Sequence, residues 1–108
     1  MQNQAVYLIV LTTCPDDQVA QVLANKIIDA KLAACVNIVP KIISVYEWQG
    51  QKEQSNESLL LIKSTQEKFT GLKDLIVREH PYELPEVVAV PICDGLPEYL
   101  AWISRSMV

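Results

Sequence analysis

Apolar positions along this chain follow two alternating rhythms. Residues 5–13 (AVYLIVLTT) form an unbroken apolar, β-branched run that ends at a Thr-Thr-Cys-Pro turn signal. A run this short predicts a strand buried on both faces. The spacing then changes to three and four. Val19, Leu23 and Ile27 recur at i+4 with Ala20, Ala24 and Ile28 beside them, predicting a helix that ends near Lys31. Pro15 suits its first turn, and Asp16 and Asp17 suit the positive end of its dipole.

Residues 33–49 return to a period of two. Val36, Ile38, Ile42, Tyr46 and Trp48 share one parity, and Cys35, Val39, Ile43 and Val45 the other. Pro40 would interrupt a central ladder, so it predicts a bulge or an edge. The turn falls at Gln49-Gly50-Gln51-Lys52, and the return strand runs to about Ser64. Ser64 and Glu67 stand at capping-box spacing ahead of a helix with Phe69, Leu72, Leu75 and Ile76 on its apolar face. Pro81 ends that helix by excluding helical angles at His80. EVVAVPI (residues 86–92) predicts a fourth strand, and residues 96–107 a last helix carrying Leu100, Ile103 and Met107.

The order β-α-β-β-α-β plus a terminal helix predicts an α+β, ferredoxin-like sandwich in a single domain over residues 1–108. The hairpin spanning residues 33–64 has arms far longer than the usual ~5–6 residues. It should protrude, leaving Tyr46 and Trp48 exposed near its tip. Either it is a floppy ribbon, or it packs on other subunits in a closed symmetric oligomer, the outcome we expect.

Composition narrows the function. A net charge of −4 and dispersed Lys and Arg argue against nucleic acid or an anionic membrane as partner. No stretch reaches the ~20 apolar residues of a membrane span, and the N-terminus lacks a basic signal region, so the expected address is cytoplasmic. Three cysteines without paired spacing make no disulfide framework. A single histidine leaves no zinc motif of ordinary spacing. No Ser-His-Asp order, Gly-rich phosphate loop or acidic metal cluster appears, so the chain is not read as an enzyme.

LAACVNI (residues 32–38), YEWQG (46–50), Glu57, LLLIK (59–63), HPYELPE (80–86) and YLAWI (99–103) together resemble the CutA family of divalent-cation-tolerance proteins. The resemblance implies a cytoplasmic homotrimer that exchanges its long hairpins around a threefold axis. It implies a link to copper and other divalent metals, and a structural likeness to trimeric PII signalling proteins. It also implies copper ligands at a cysteine ending the first strand and at a His-His pair before Pro-Tyr. In this chain Glu79 stands at the first of those histidines, and Thr12 at the cysteine, with Cys14 two residues on.

Two constellations follow. His80, Cys14 and Glu79 are candidate metal ligands. His80 suits copper or zinc, but the same residue could instead be a helix C-cap. Cys14, at a helix start, would have a lowered thiol pKa, or it is simply a small turn residue. Cys35 reads as core and Cys93 as a turn-flanking thiol. The second group, Trp48, Glu57, Lys63, Tyr82 and Glu86, would line an inter-subunit pocket, or else hold a buried Lys63 salt bridge. The leading expectation is direct binding of copper or another divalent cation. The alternative is a PII-like module taking a small anionic metabolite at that pocket, or signalling to a protein partner. A third reading is a structural trimer with no ligand.

Overall fold

The computed structural model describes residues 5–108. Seven elements follow one another: β1 (Tyr7–Cys14), α1 (Asp17–Asp29), β2 (Cys35–Trp48), β3 (Gln51–Thr65), α2 (Gln66–Glu79), β4 (Val88–Pro91) and α3 (Pro97–Ser106). They build one four-stranded sheet in the order β2-β3-β1-β4, every neighbouring pair antiparallel. This is the expected ferredoxin-like α+β arrangement. Residues 1–4 of the expected domain lie outside the described residues.

β3 holds the sheet together, pairing with β1 from Tyr7↔Thr65 to Cys14↔Ser58 and with β2 along its whole length. Alternation decides which side chains enter the core. Leu8, Val10, Thr12 and Cys14 of β1 and Ser58, Leu60, Ile62 and Ser64 of β3 are buried. Against them pack Ala20, Leu23 and Ile27 of α1 and Leu72, Leu75 and Ile76 of α2. The second face of β1 is only half-buried, contrary to the doubly buried strand expected. α1 and α2 pack on the other side, and α3 reaches this face through the Ser104–Tyr7 hydroxyl contact at 2.7 Å.

Two prolines occupy edge strands, Pro40 as expected. Pro40 lies in the register shift between Val39 and Ile42 of β2, with Lys41 at φ 61°. Pro91 ends β4, where its missing N–H removes no interior ladder bond. The β2–β3 turn is two residues, Gln49 and Gly50, with φ of 52° and 80°. Two positive φ values are the pattern of a type I′ hairpin turn, which matches the twist of its strands. Beyond Cys14 of β1 this hairpin continues alone, and the molecule is drawn out to 52 × 25 × 22 Å.

Two local expectations are corrected. Ser64 does not cap α2: β3 runs on through Thr65, so the Ser64 hydroxyl faces inward and donates to the Leu32 carbonyl at 2.7 Å. α1 begins after Pro15. Asp16 is its N-cap, accepting from the Val19 N–H at 2.8 Å.

Ile62→Ala should cost about 2–5 kcal/mol in chemical denaturation, because its fully buried side chain leaves a cavity in the middle of β3. Gly50→Ala should cost about 1–2 kcal/mol through backbone strain alone, since no atom crowds a Cβ there.

Candidate functional site

The site forms where β1 ends and the ribbon departs from the domain. Pro81 forces His80 out of helical angles, to φ −80° and ψ 138°, and this brings the α2 terminus across the end of β1. The His80 ring then makes two hydrogen bonds. The Tyr82 backbone N–H donates to Nδ1 at 3.1 Å, and Nε2 lies 2.7 Å from the Thr13 carbonyl. A backbone N–H can only donate, so Nδ1 is the acceptor and Nε2 carries the proton given to Thr13. His80 is 8% exposed, and it packs against the Tyr82 ring at a centroid distance of 4.7 Å. The backbone of His80 does form the helix C-cap, but its side chain acts between elements.

Tyr82 passes this order onward. Its hydroxyl donates to Glu57 Oε2 at 2.6 Å. Burial, and then the hydrogen bond and charge of Glu57, push the Tyr82 phenol well above its ordinary range, so it remains a donor. Glu57 is only 7% exposed. Among the described residues it has no Lys, Arg or His within salt-bridge distance.

Glu57 opens into a cleft of about 720 Å³ between the ribbon and the residues 81–86 segment. Tyr46, Trp48 and Tyr82 form aromatic walls, and Glu83 and Glu86 add carboxylates. Thr13, Ser44, Val45, Pro81 and Leu84 complete the lining, which contains no Lys or Arg. Four of the five residues expected at a pocket, Trp48, Glu57, Tyr82 and Glu86, are thus brought together. Lys63 is not. It lies six residues along β3 from Glu57, about 20 Å at strand rise, and its ammonium meets Asn37 Oδ1. Neither salt bridge considered for Lys63 forms among the described residues. Tyr46 and Ser44 were legible as cleft residues from their shared parity with Trp48. Glu83 and Leu84 carried no such signal.

The metal candidates are placed differently. Cys14 Sγ lies 3.9 Å from His80 Nε2. The thiol is not at a helix start, as expected, but is the buried last residue of β1. Burial first, then the negative charges of Glu57 and Asp16, push its pKa up to about 11, the reverse of the expected lowering. Glu79 points away, bonded to Lys26 at 2.5 Å. The Lys26 hydrogen bond and charge, with Arg78 adding, hold its carboxyl below the usual range. Among the described residues, no three His, Cys, Asp or Glu side chains converge on a metal-sized site. Cys35 is half-buried rather than core, and Cys93 is exposed.

The fold and site define a class: a ferredoxin-like α+β domain with a protruding β-ribbon and an acidic, aromatic-walled cleft at the ribbon's base. Comparison with known proteins resolves the class further. Residues 8–106 match the family model of the CutA1 divalent ion tolerance protein. The chain is 46% identical over 98 residues to the divalent-cation tolerance protein CutA of Thermus thermophilus, covering 91% of this chain and 95% of that one. It is 44% identical over 99 residues to the chloroplastic protein CutA of Arabidopsis thaliana, covering 92% of this chain but 54% of that longer relative. The crystal structure of CutA1 from Oryza sativa superposes with a TM-score of 0.91 at 42% identity, over 94% of this chain and 93% of that one. The chain belongs to the CutA1 divalent ion tolerance family.

The raised Cys14 pKa carries a sign that can be measured. The core favours the neutral thiol, so its contribution to stability is intact below pH 9 and is lost as pH rises through 11. Denaturation midpoints should fall across that window, and Cys14→Ala should remove part of the slope. The same thiol should resist alkylation near neutral pH until the protein unfolds.

Proposed function

We propose that this protein contributes to divalent-cation tolerance by binding the cation directly, copper included, as a cytoplasmic homotrimer rather than as an enzyme. The observation that carries the reading is Glu57: a carboxylate buried beyond nine-tenths, with no cationic partner among the described residues. An ionised carboxylate removed from water is costly unless a positive charge compensates it. Glu83 and Glu86 line the same cleft, and oxygen donors suit divalent ions. Protomer ligands alone do not close a coordination shell, so solvent or a neighbouring subunit completes it.

The ribbon supports assembly. Ile43 and Val45 are 64% and 61% exposed on one of its faces, and Tyr46 and Trp48 are exposed on the other. Apolar side chains displayed on a long, unpaired ribbon favour burial against further copies. The small-anion alternative has less support, because the cleft lining contains no Lys or Arg.

A second reading rests on the 3.9 Å approach of Cys14 to His80, a thiol and an imidazole that suit copper. Ligand pairs on one metal lie about 3.5–4.3 Å apart at zinc-type bond lengths. Here the metal would have to displace the thiol proton and the hydrogen bond at Nε2 or at Nδ1.

Calorimetric titration of the reduced protein with copper and zinc salts separates these readings. Saturable binding weakened at least about tenfold in Glu57→Gln, with Cys14→Ser little changed, supports the cleft. Binding lost in Cys14→Ser and His80→Ala but retained in Glu57→Gln moves the ion to the soft pair. No saturable binding of either metal ends the direct-binding proposal. Sedimentation equilibrium should give a trimer mass.

A further inference from the structure

β4 ends at Pro91 and α3 begins at Pro97, and residues 92–96 between them have no regular structure. Ile92 donates its N–H to the Tyr7 carbonyl at 2.9 Å, so this segment leaves the sheet at the end of β1 remote from the ribbon and its cleft. Its middle, Cys93-Asp94-Gly95, is exposed. Among the described residues the Gly95 N–H meets no backbone acceptor. It donates to Oδ1 of the preceding Asp94 at 2.9 Å.

A carboxyl turned back on the next peptide nitrogen is poised to close a five-membered ring. The contact holds the nitrogen beside the carboxyl carbon before any reaction, and such positioning makes attack effectively unimolecular. Glycine contributes by what it lacks. With no side chain at residue 95 the nitrogen is unshielded and the backbone can turn to meet Cγ. A Cβ there would also meet Leu100 Cδ2 at 3.3 Å, so glycine lets the loop lie close on α3. The other described Asp and Asn residues lie in helices or paired strands or, for Asp16, cap α1, and none precedes a glycine.

We infer that Asp94-Gly95 is a modification site at which isoaspartate forms spontaneously in the folded protein. The Gly95 nitrogen bonds to Asp94 Cγ, and its proton leaves with the carboxyl hydroxyl as water, giving a succinimide. Water then opens the ring. Attack at Cγ restores aspartate. Attack at the Asp94 main-chain carbonyl carbon leaves the chain running through Cβ and Cγ, with a new α-carboxylate beside it. No oxidant or cofactor enters. The product lengthens the backbone by one carbon between the sheet and α3. Ile92 is tied to Tyr7, and Ile103 and Met107 are buried, so the first turn of α3 takes up the added atom.

The test holds the assembled protein for several weeks at near-neutral pH and physiological temperature, beside a reduced peptide spanning residues 91–97. Digests are mapped by mass spectrometry with electron-transfer fragmentation. Intact samples are offered to an isoaspartyl carboxyl methyltransferase with S-adenosylmethionine, which esterifies the new α-carboxylate. The Asp94 peptide should split into two species of equal mass, one fragmenting as isoaspartate, with a minor precursor lighter by one water. Methyl uptake should rise in step, at a rate within a few-fold of that in the free peptide. Asp94→Glu keeps the charge at an exposed position and should abolish both signals, because its ring would need six members. Asp94→Asn should speed them, since an amide loses ammonia more readily than a carboxylate loses hydroxide. Isoaspartate found only at other residues overturns the inference. So does methyl uptake unchanged in Asp94→Glu, or formation at Asp94 more than an order of magnitude slower in the folded protein than in the peptide.

Discussion

The hydrogen bond between His80 Nε2–H and the Thr13 carbonyl fixes the geometry on which the site depends. It ties the end of α2 to the end of β1, which are far apart in sequence. Pro81 makes the tie possible by stopping the helix one residue earlier. Once the ring is held, its Nδ1 captures the Tyr82 N–H and its face supports the Tyr82 ring. Tyr82 then reaches Glu57 on β3. Four residues thus transmit position from strand to helix terminus to loop and back to a strand. Each donor has its acceptor in the neutral imidazole state, so the chain of contacts buries polar groups without leaving one of them unmet.

The electrostatics of this corner are consistently negative. Burial, and after it Glu57, raises both the Cys14 thiol and the Tyr82 phenol, and Asp16 adds to the effect on Cys14. Protons are therefore retained on the Cys14 thiol and the Tyr82 phenol. A corner organised in this way favours an arriving cation over an anion. The ribbon carries Tyr46 and Trp48 to the same place, so charge and aromatic surface meet at the junction of domain and ribbon.

The fold was legible because its signals are local and redundant. A period of two marked the β2 arm of the hairpin, Pro40 marked the bulge, Gly50 the turn and Pro81 the helix end. The failures came from one-residue boundaries and from distance. Ser64 has the spacing of a cap, but β3 continues one residue past it, and its hydroxyl turns inward. Cys14 closes a strand instead of opening a helix, which reverses the direction of its pKa. Within one protomer strand rise separates Lys63 from Glu57, so the expected grouping of the two is one that only a neighbouring subunit could assemble. The His80 backbone ends the helix, as one of its two expected roles required, while its ring bonds Thr13 and Tyr82.

His80 is the only histidine in the chain, so its imidazole nitrogens can be observed without ambiguity. The decisive measurement is long-range nitrogen–proton NMR of the ring in the native protein, at a pH where it is neutral. The clamp predicts the Nε2–H tautomer, with Nδ1 showing the shift of a hydrogen-bonded acceptor. A ring found as the Nδ1–H tautomer, or averaging rapidly between the two, would contradict it, because neither state can hold Thr13 and Tyr82 at once.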